Sequence, residues 1–544
     1  MLVDFIHFIV ERMISMVPIL TFIIIVAGIW FYAYRRTKHI NKQNTDGYFF
    51  SGRSLGGFVI AGTMLMANLS TEQIVGQSGL AYSVGMETMA WEIIACLSIL
   101  TLAFVFLPNY LKHGVSTIPE FLALRYDNQF RLVISFLIQS SYIFVLLPSI
   151  LYSGALVFNQ LFSVGTLLGI SDYQGLMVTA TAVGIIGLAY LLMGGMGISA
   201  ISDSIYGVGL LIGGISIPFI GLYVLGDGSI IQGVSAVVAS APEKLNAFGA
   251  VDSKAVPWPT LLFGLLFNTM FYWNTNQFIV QKTIAGRNLA EGQKGVLTLA
   301  IFKLFGPFYL VFPGIIAYVM FQGSLPLSDA AYPTLVHAIL PEGLYGVFSA
   351  IIFGAILSTY VAALNSVSTL FSLDFFKGIF RKNASEAATV HAGKVANVII
   401  SLIAVTLAPL LIHAPTGLYN FLQEYVGFYN IPLIAIILFG FFNKSVSATG
   451  AKACFAFHIG FYVIAKFAFD GIHFLYIHSV LFLLDILVLL LFAKFAPLPQ
   501  EFRFRPSANK VDLTPWKYRK ILAAVVLAGI VSLYLLFSPL VLAK

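Results

Sequence analysis

Residues 204–226 carry no charge, nor do residues 343–373, and stretches of this kind recur along the chain. About twenty apolar residues are what a helix needs to cross the ~30 Å hydrocarbon core of a bilayer. Inside that core no water can satisfy backbone N–H and C=O groups, so such a stretch must close its hydrogen bonds within itself. The recurrence predicts an all-α polytopic membrane protein. Composition agrees: 59% of the 544 residues are hydrophobic and 10% charged, against roughly 25% charged in ordinary soluble domains.

The pattern predicts fourteen spans: 15–34, 57–82, 86–108, 132–162, 173–193, 202–226, 258–281, 296–321, 343–375, 395–412, 418–442, 449–468, 473–493 and 521–541. If the first enters from outside, 24 of the 30 Lys and Arg fall in cytoplasmic connections. Only Arg12, Lys244, Lys254 and Lys544 fall outside. The positive-inside rule then expects both termini outside, in a plasma membrane of the bacterial inner type. The net charge of +7 follows from that topology and from anionic lipid, so the partner implied is the bilayer and not nucleic acid. The basic cluster Arg35-Arg36-Thr37-Lys38 follows the first apolar stretch instead of preceding it, which reads as a span and not a cleaved leader.

Cys96 and Cys454 both sit in apolar segments and read as small core residues, and the nine histidines form no metal-ligand spacing. No nucleophile–base or metal grouping supports an enzyme. A channel would be built around a symmetric ring or filter, and a sensor would carry an appended soluble domain.

One stretch resists the apolar description. "MANLSTEQIVGQSG", Met66 to Gly79, places Asn68, Ser70, Thr71, Glu72, Gln73, Gln77 and Ser78 within a span. Polar side chains at that depth are costly unless they face a cavity, an ion or a partner helix. Five spans later "FNTMFYWNTNQ", Phe267 to Gln277, interrupts 258–281 in the same way. Interruptions at matching places in two halves are what an inverted repeat predicts, with broken helices exposing carbonyls and helix ends to ions and solutes. Polar helix–helix contacts are the plainer alternative.

Glu92, Asp203 and Lys303 also lie in spans, and Glu92 is expected to pair with Lys303 or to share a polar solute with it. "GAILSTYVAALNSVSTLFSLD", Gly354 to Asp374, supplies adjacent hydroxyls at Ser358 and Thr359. These are hard oxygens suited to a small alkali cation, although such hydroxyls often bond only their own i−4 carbonyl. Lys466 and Asp485 read as interfacial or structural.

"DGYFFSGRSL" (46–55), "ANLSTEQIVGQSG", "STIPEFLALRYD" (116–127), "FYWNTNQFIVQKTIAGRNLAEGQKG" (271–295) and "STYVAALNSVSTLFSLD" together resemble the solute:sodium symporter family, in particular its bacterial sodium/galactose-type branch. The resemblance runs in order from about Asp46 to about Phe442. It implies a LeuT-type fold of two inverted five-helix halves with extra helices: 1–56 as a leading helix and cytoplasmic loop, 57–226 and 258–442 as the halves, 227–257 as an extracellular loop, and 443–544 as trailing helices. It implies Na+ as coupling ion, bound by backbone carbonyls of Met66, Leu69 and Ala355 and hydroxyls of Ser358 and Thr359. The solute positions it implies are Asn68, Gln73, Glu92, Thr269, Tyr272, Lys303 and Gln423. Gating falls to Tyr272, Gln77, Trp91 and Tyr419.

The chain departs from the family pattern at several of these places. A family Asn aligns with Thr269, with Asn268 adjacent; a Tyr beside Glu92 is Trp91; a Met near the outer gate is Gln77. Members that couple two ions use the counterpart of Asp203 with hydroxyls just past the Ser358–Thr359 pair, where this chain has Tyr360, Val361 and Ala362. The expectation is therefore a symporter for a neutral sugar or polyol with one Na+ per solute, Asp203 standing as a possible further ligand. The alternative within the family is an amino acid, nucleoside or organic anion as solute. Glu92 would repel an anion, which favours the neutral class.

Overall fold

The computed structural model describes residues 2–162, 164–413, 418–469, 471–504 and 511–543, with side chains from residue 17 onward except at 160, 161, 342, 412, 413 and 418–425. Helices dominate, and among the described residues the only β-type pairings are two isolated bridges, Leu55 with Gly286 and Gly249 with Pro257. Nine helices there are long and apolar enough to cross a membrane. Two bent pairs pass the same test together: Gly57–Asn68 with Thr71–Val84, bent by 61°, and Leu289–Leu304 with Pro307–Met320, bent by 45°.

One of the nine, Asp172–Leu225, has 54 residues and would be ~81 Å long if straight, far beyond one bilayer crossing. Gly195 divides it, with φ 59° and ψ −159°, a conformation open mainly to glycine. The chain reverses there, and the Tyr190 and Ser202 hydroxyls meet at 2.5 Å. The two expected spans, 173–193 and 202–226, are therefore the arms of one tight helical reversal.

Burial sorts core from periphery. Tyr345–Phe380 has 89% of its most apolar window buried in protein, whereas Val17–Thr37 has 6% and Arg519–Leu536 11%. The leading and trailing helices thus present their apolar faces to lipid around a protein-packed centre.

Three elements lie in stretches read as connections: Ile118–Arg125, Ile230–Ser240 and Ala331–Ile339. Each is too short to span, so hydropathy alone passes over it. Ile118–Arg125 carries a capping box, Thr117 with Glu120, that stops its first turn fraying. The helix Ile230–Ser240 lies within 227–257, the stretch read as an extracellular loop. Two lysines counted as loop cations are also buried. Lys244 donates to the Tyr82 and Ser83 carbonyls at 3.1 and 2.9 Å, where a cation satisfies the open end of Thr71–Val84. Lys282 is 3% exposed and pairs with Asp203 at 3.2 Å.

Candidate functional site

Both polar interruptions are breaks in helices. After Gly57–Asn68 the Leu69 N–H still reaches the Leu65 carbonyl at 2.9 Å, but the Ser70 N–H turns back to Asn68 at 2.9 Å. The carbonyl of Met66 thereby loses its helical partner and takes the Thr359 hydroxyl at 3.1 Å. In the second break, between Leu266–Asn274 and Gln277–Ile284, the N–H groups of Thr275 and Asn276 both fall on the Phe271 carbonyl, at 2.9 and 3.0 Å.

The breaks meet at a cavity of about 120 Å³ whose wall includes Asn68, Ser70, Glu72, Gln73, Trp91, Glu92, Asn268, Thr269, Tyr272, Asn276, Lys303, Thr359 and Asn430. A continuous polar chain runs along it. Gln73 and Gln77 donate their amides to Glu92 Oε1 at 2.5 and 2.9 Å. The other carboxylate oxygen is ion-paired to the Lys303 ammonium, which also donates to Asn68 Oδ1 at 2.6 Å. Asn68 Nδ2 in turn donates to the Tyr272 hydroxyl at 3.2 Å. Lys303 lies 5.3 Å from the Trp273 ring centroid, within cation–π range.

The third bend places this lysine. Its hinge holds Gly306, where an added Cβ would come within 2.9 Å of Glu92 Cγ and Oε2. Only glycine lets the carboxylate approach this closely. Glu92 and Lys303 are 0% and 1% exposed. Two charges so far from water persist because each neutralises the other and amides fill the remaining bonding positions.

Of the residues expected to hold Na+, Thr359, Met66 and Ala355 meet at one edge of the cavity. Thr359 Oγ1 reaches the carbonyls of Met66 and Ala355, each at 3.1 Å, and lines the cavity itself. Ser358 is 1% exposed and its Oγ has no hydrogen-bond partner among the described residues. Hydroxyls, and a carbonyl freed by a helix break, are the oxygen donors that a small hard cation takes. Leu69 is the first of the two residues between the half-helices. Asp203 does not join this group. Its Oδ2 accepts from the Thr63 hydroxyl at 2.5 Å, from Ser199 at 3.2 Å and from Lys282 at 3.2 Å.

The expected gate residues divide. Tyr272 and Trp91 line the cavity, whereas Gln77 is 0% exposed and bonded to Glu92. The side chains of Gln423 and Tyr419 lie outside the described residues. The Thr269 hydroxyl donates to the Leu266 carbonyl at 2.9 Å and shares a hydrogen bond with the Ser98 hydroxyl at 2.8 Å. The neighbouring Asn268 instead keeps, among the described residues, an unbonded Nδ2 in the cavity wall.

Glu72 was not singled out in the sequence for a role. It lines the cavity, accepts from Ser153 at 3.4 Å, and makes no ion pair among the described residues. Its signal lay in the quoted polar stretch, as the first-turn acid of Thr71–Val84, but a first-turn acid is equally explained by the helix dipole.

A model of the sodium:solute symporter family matches residues 48–457, which include every residue of this cavity wall. The chain belongs to the sodium:solute symporter family. It is 40% identical to the uncharacterized symporter YidK of Escherichia coli (strain K12), over 94% of this chain and 89% of the relative. The sodium/glucose cotransporter of Vibrio parahaemolyticus is 30% identical over 84% of this chain and 86% of its own length. The human sodium/myo-inositol cotransporter is 28% identical over 79% and 63% respectively. Among solved structures, a Na+-coupled sialic acid symporter in a substrate-bound outward-open state superposes with a TM-score of 0.75. It shares 20% identity and covers 90% of this chain and 99% of its own. The fold is accordingly the LeuT type, two inverted five-helix halves with additional helices. This family member is a multi-pass membrane transporter and not an enzyme. It couples solute symport to Na+.

Proposed function

We propose that this symporter takes up a neutral sugar or polyol, one Na+ per solute. The observation that carries the reading is the polar chain Gln73–Glu92–Lys303–Asn68–Tyr272 along one wall of the cavity. It offers acceptors and donors in alternation, which suits hydroxyls that both give and take hydrogen bonds. Its two charges cancel within the pair, so the solute need bring none. Asn268 adds an unbonded donor, and the Tyr272 ring gives an apolar face on which a pyranose or cyclitol stacks and which gates its exit. The names of two relatives, a sodium/glucose and a sodium/myo-inositol cotransporter, support the same class.

For the ion, the carbonyls of Met66, Leu69 and Ala355 with the hydroxyls of Ser358 and Thr359 form the single site. Asp203 is already neutralised by Lys282. The void beside that pair is only about 10 Å³ and is lined in part by Val361 and Ala362, which bring no hydroxyl. A second cation there would meet the like charge of the Lys282 ammonium, which shares that wall.

A second reading has its own observation. Glu72 faces the cavity without an ion pair, and an unpaired carboxylate favours an amine-bearing solute such as an amino sugar. Uptake by proteoliposomes under an inward Na+ gradient, with hexoses, inositol, their amino derivatives and sialic acid in parallel, separates the two. Charge movement recorded alongside gives the stoichiometry. Preferential uptake of an anion would overturn both readings, and about two charges per neutral solute would overturn the single ion site.

A further inference from the structure

A second cleft, of about 720 Å³, opens well away from the solute cavity. It lies where the first helix, Leu2–Thr37, finishes against the start of Gly57–Asn68 and the Ile201–Val208 part of the helical reversal. Two guanidinium groups line it. Arg36 Nε donates to the Tyr32 hydroxyl at 3.2 Å, and Arg287 Nε donates to the Ser54 carbonyl at 3.1 Å. Neither makes an ion pair among the described residues. Glu291, one turn beyond Arg287, is committed to the Gly57 N–H at 2.5 Å. Each guanidinium therefore keeps its terminal amino groups for a ligand.

One part of the wall is apolar and faces outward. Phe58 is 55% exposed, Val208 42% and Ile205 36%. On a helix surface at membrane depth such exposure is contact with lipid chains. The cleft thus joins a cationic head, with polar groups at Thr37, Ser51 and Ser54, to a hydrocarbon track continuous with the bilayer. A free inorganic anion would use only the head, and a zwitterionic lipid would bring its own ammonium against two arginines. Guanidinium groups recognise phosphate through paired N–H donors, and basic pockets between membrane helices are suited to anionic headgroups.

We propose that this cleft binds one anionic phospholipid, its phosphate between Arg36 and Arg287 and an acyl chain along Phe58, Ile205 and Val208. The bound lipid touches the start of Gly57–Asn68, the first half of the broken helix.

The test is native mass spectrometry of the full chain released from detergent with phosphatidylglycerol or phosphatidylethanolamine added. The expected result is one retained phosphatidylglycerol, bound at least tenfold more tightly than phosphatidylethanolamine. The Arg36→Gln/Arg287→Gln variant should lose that preference while its melting temperature stays within a few degrees. A control variant, Lys382→Gln/Lys494→Gln, removes two exposed charges elsewhere and should keep it. Equal retention of the two lipids, or equal loss in the control variant, would reduce the effect to diffuse attraction and overturn the site. Displacement of the lipid by millimolar inorganic phosphate would make it an anion site without lipid selectivity, which also overturns the proposal.

Discussion

Glu92–Lys303 and Asp203–Lys282 are near twins, a carboxylate and an ammonium held out of water in the same helical core. Their surroundings differ. The first pair lines a cavity of about 120 Å³ and hands its charge on to Gln73, Gln77 and Asn68. The second is closed by Thr63, whose hydroxyl and carbonyl both engage it, beside a void of about 10 Å³. Burial and pairing are thus shared by a candidate solute site and a structural tie. What separates them is whether the remaining bonding capacity opens on a space that a solute can enter.

The sharpest way to break this comparison is Lys303→Ala. It leaves Glu92 charged and unpaired in the interior, a change that costs about 3–5 kcal/mol, and solute uptake should fall to background. Glu92→Gln/Lys303→Met should recover melting temperature without recovering transport. Recovery of both would reduce this pair to the status of its twin.

Asp203→Asn should instead act on stability. Lys282 is left buried without a counter-charge, so the melting temperature falls by several degrees, while the charge moved per solute in the remaining active fraction stays at one. A changed charge-to-solute ratio would return Asp203 to the ion path.

Glu92→Gln is milder. It keeps the shape and one acceptor oxygen but leaves Lys303 without a counter-charge and turns an amide NH2 on either the glutamine donors or the ammonium, losing a charge-assisted bond worth about 1.5–3 kcal/mol. Solute affinity should drop at least tenfold, read as the half-saturating concentration at saturating Na+.

The smallest effects come from two neighbours. Asn268→Ala removes an unbonded cavity donor and should weaken solute affinity several-fold. Thr269→Val removes a hydroxyl already bonded to the Leu266 carbonyl and the Ser98 hydroxyl and should change affinity less than twofold. The reverse ranking would restore Thr269 to the solute site.

Much of this was legible in the chain. Apolar length gave the helical membrane class, and the two polar interruptions marked both broken helices because free carbonyls at membrane depth need polar company. The Glu92–Lys303 pairing was legible too, since neither charge is stable there alone. Lys282 was misplaced because a lysine near a predicted span end reads as a loop cation, and its depth depends on a helix, Gln277–Ile284, that carries it back under Thr63. Thr269 and Asn268 are adjacent residues of one helix, and which of them faces the cavity depends on rotation about its axis, which Ser98 on a neighbouring helix helps to set.

The sequence by itself determined the solvent of this protein, its helical class and two of the positions where its helices break, because hydrocarbon imposes those terms on each segment separately. The tertiary structure decided which buried charge meets which, that Asp203 is spent on Lys282, and that Glu72 and Asn268 look into the cavity. Those outcomes depend on how helices distant in sequence are packed and turned against one another, and no local pattern carries that information.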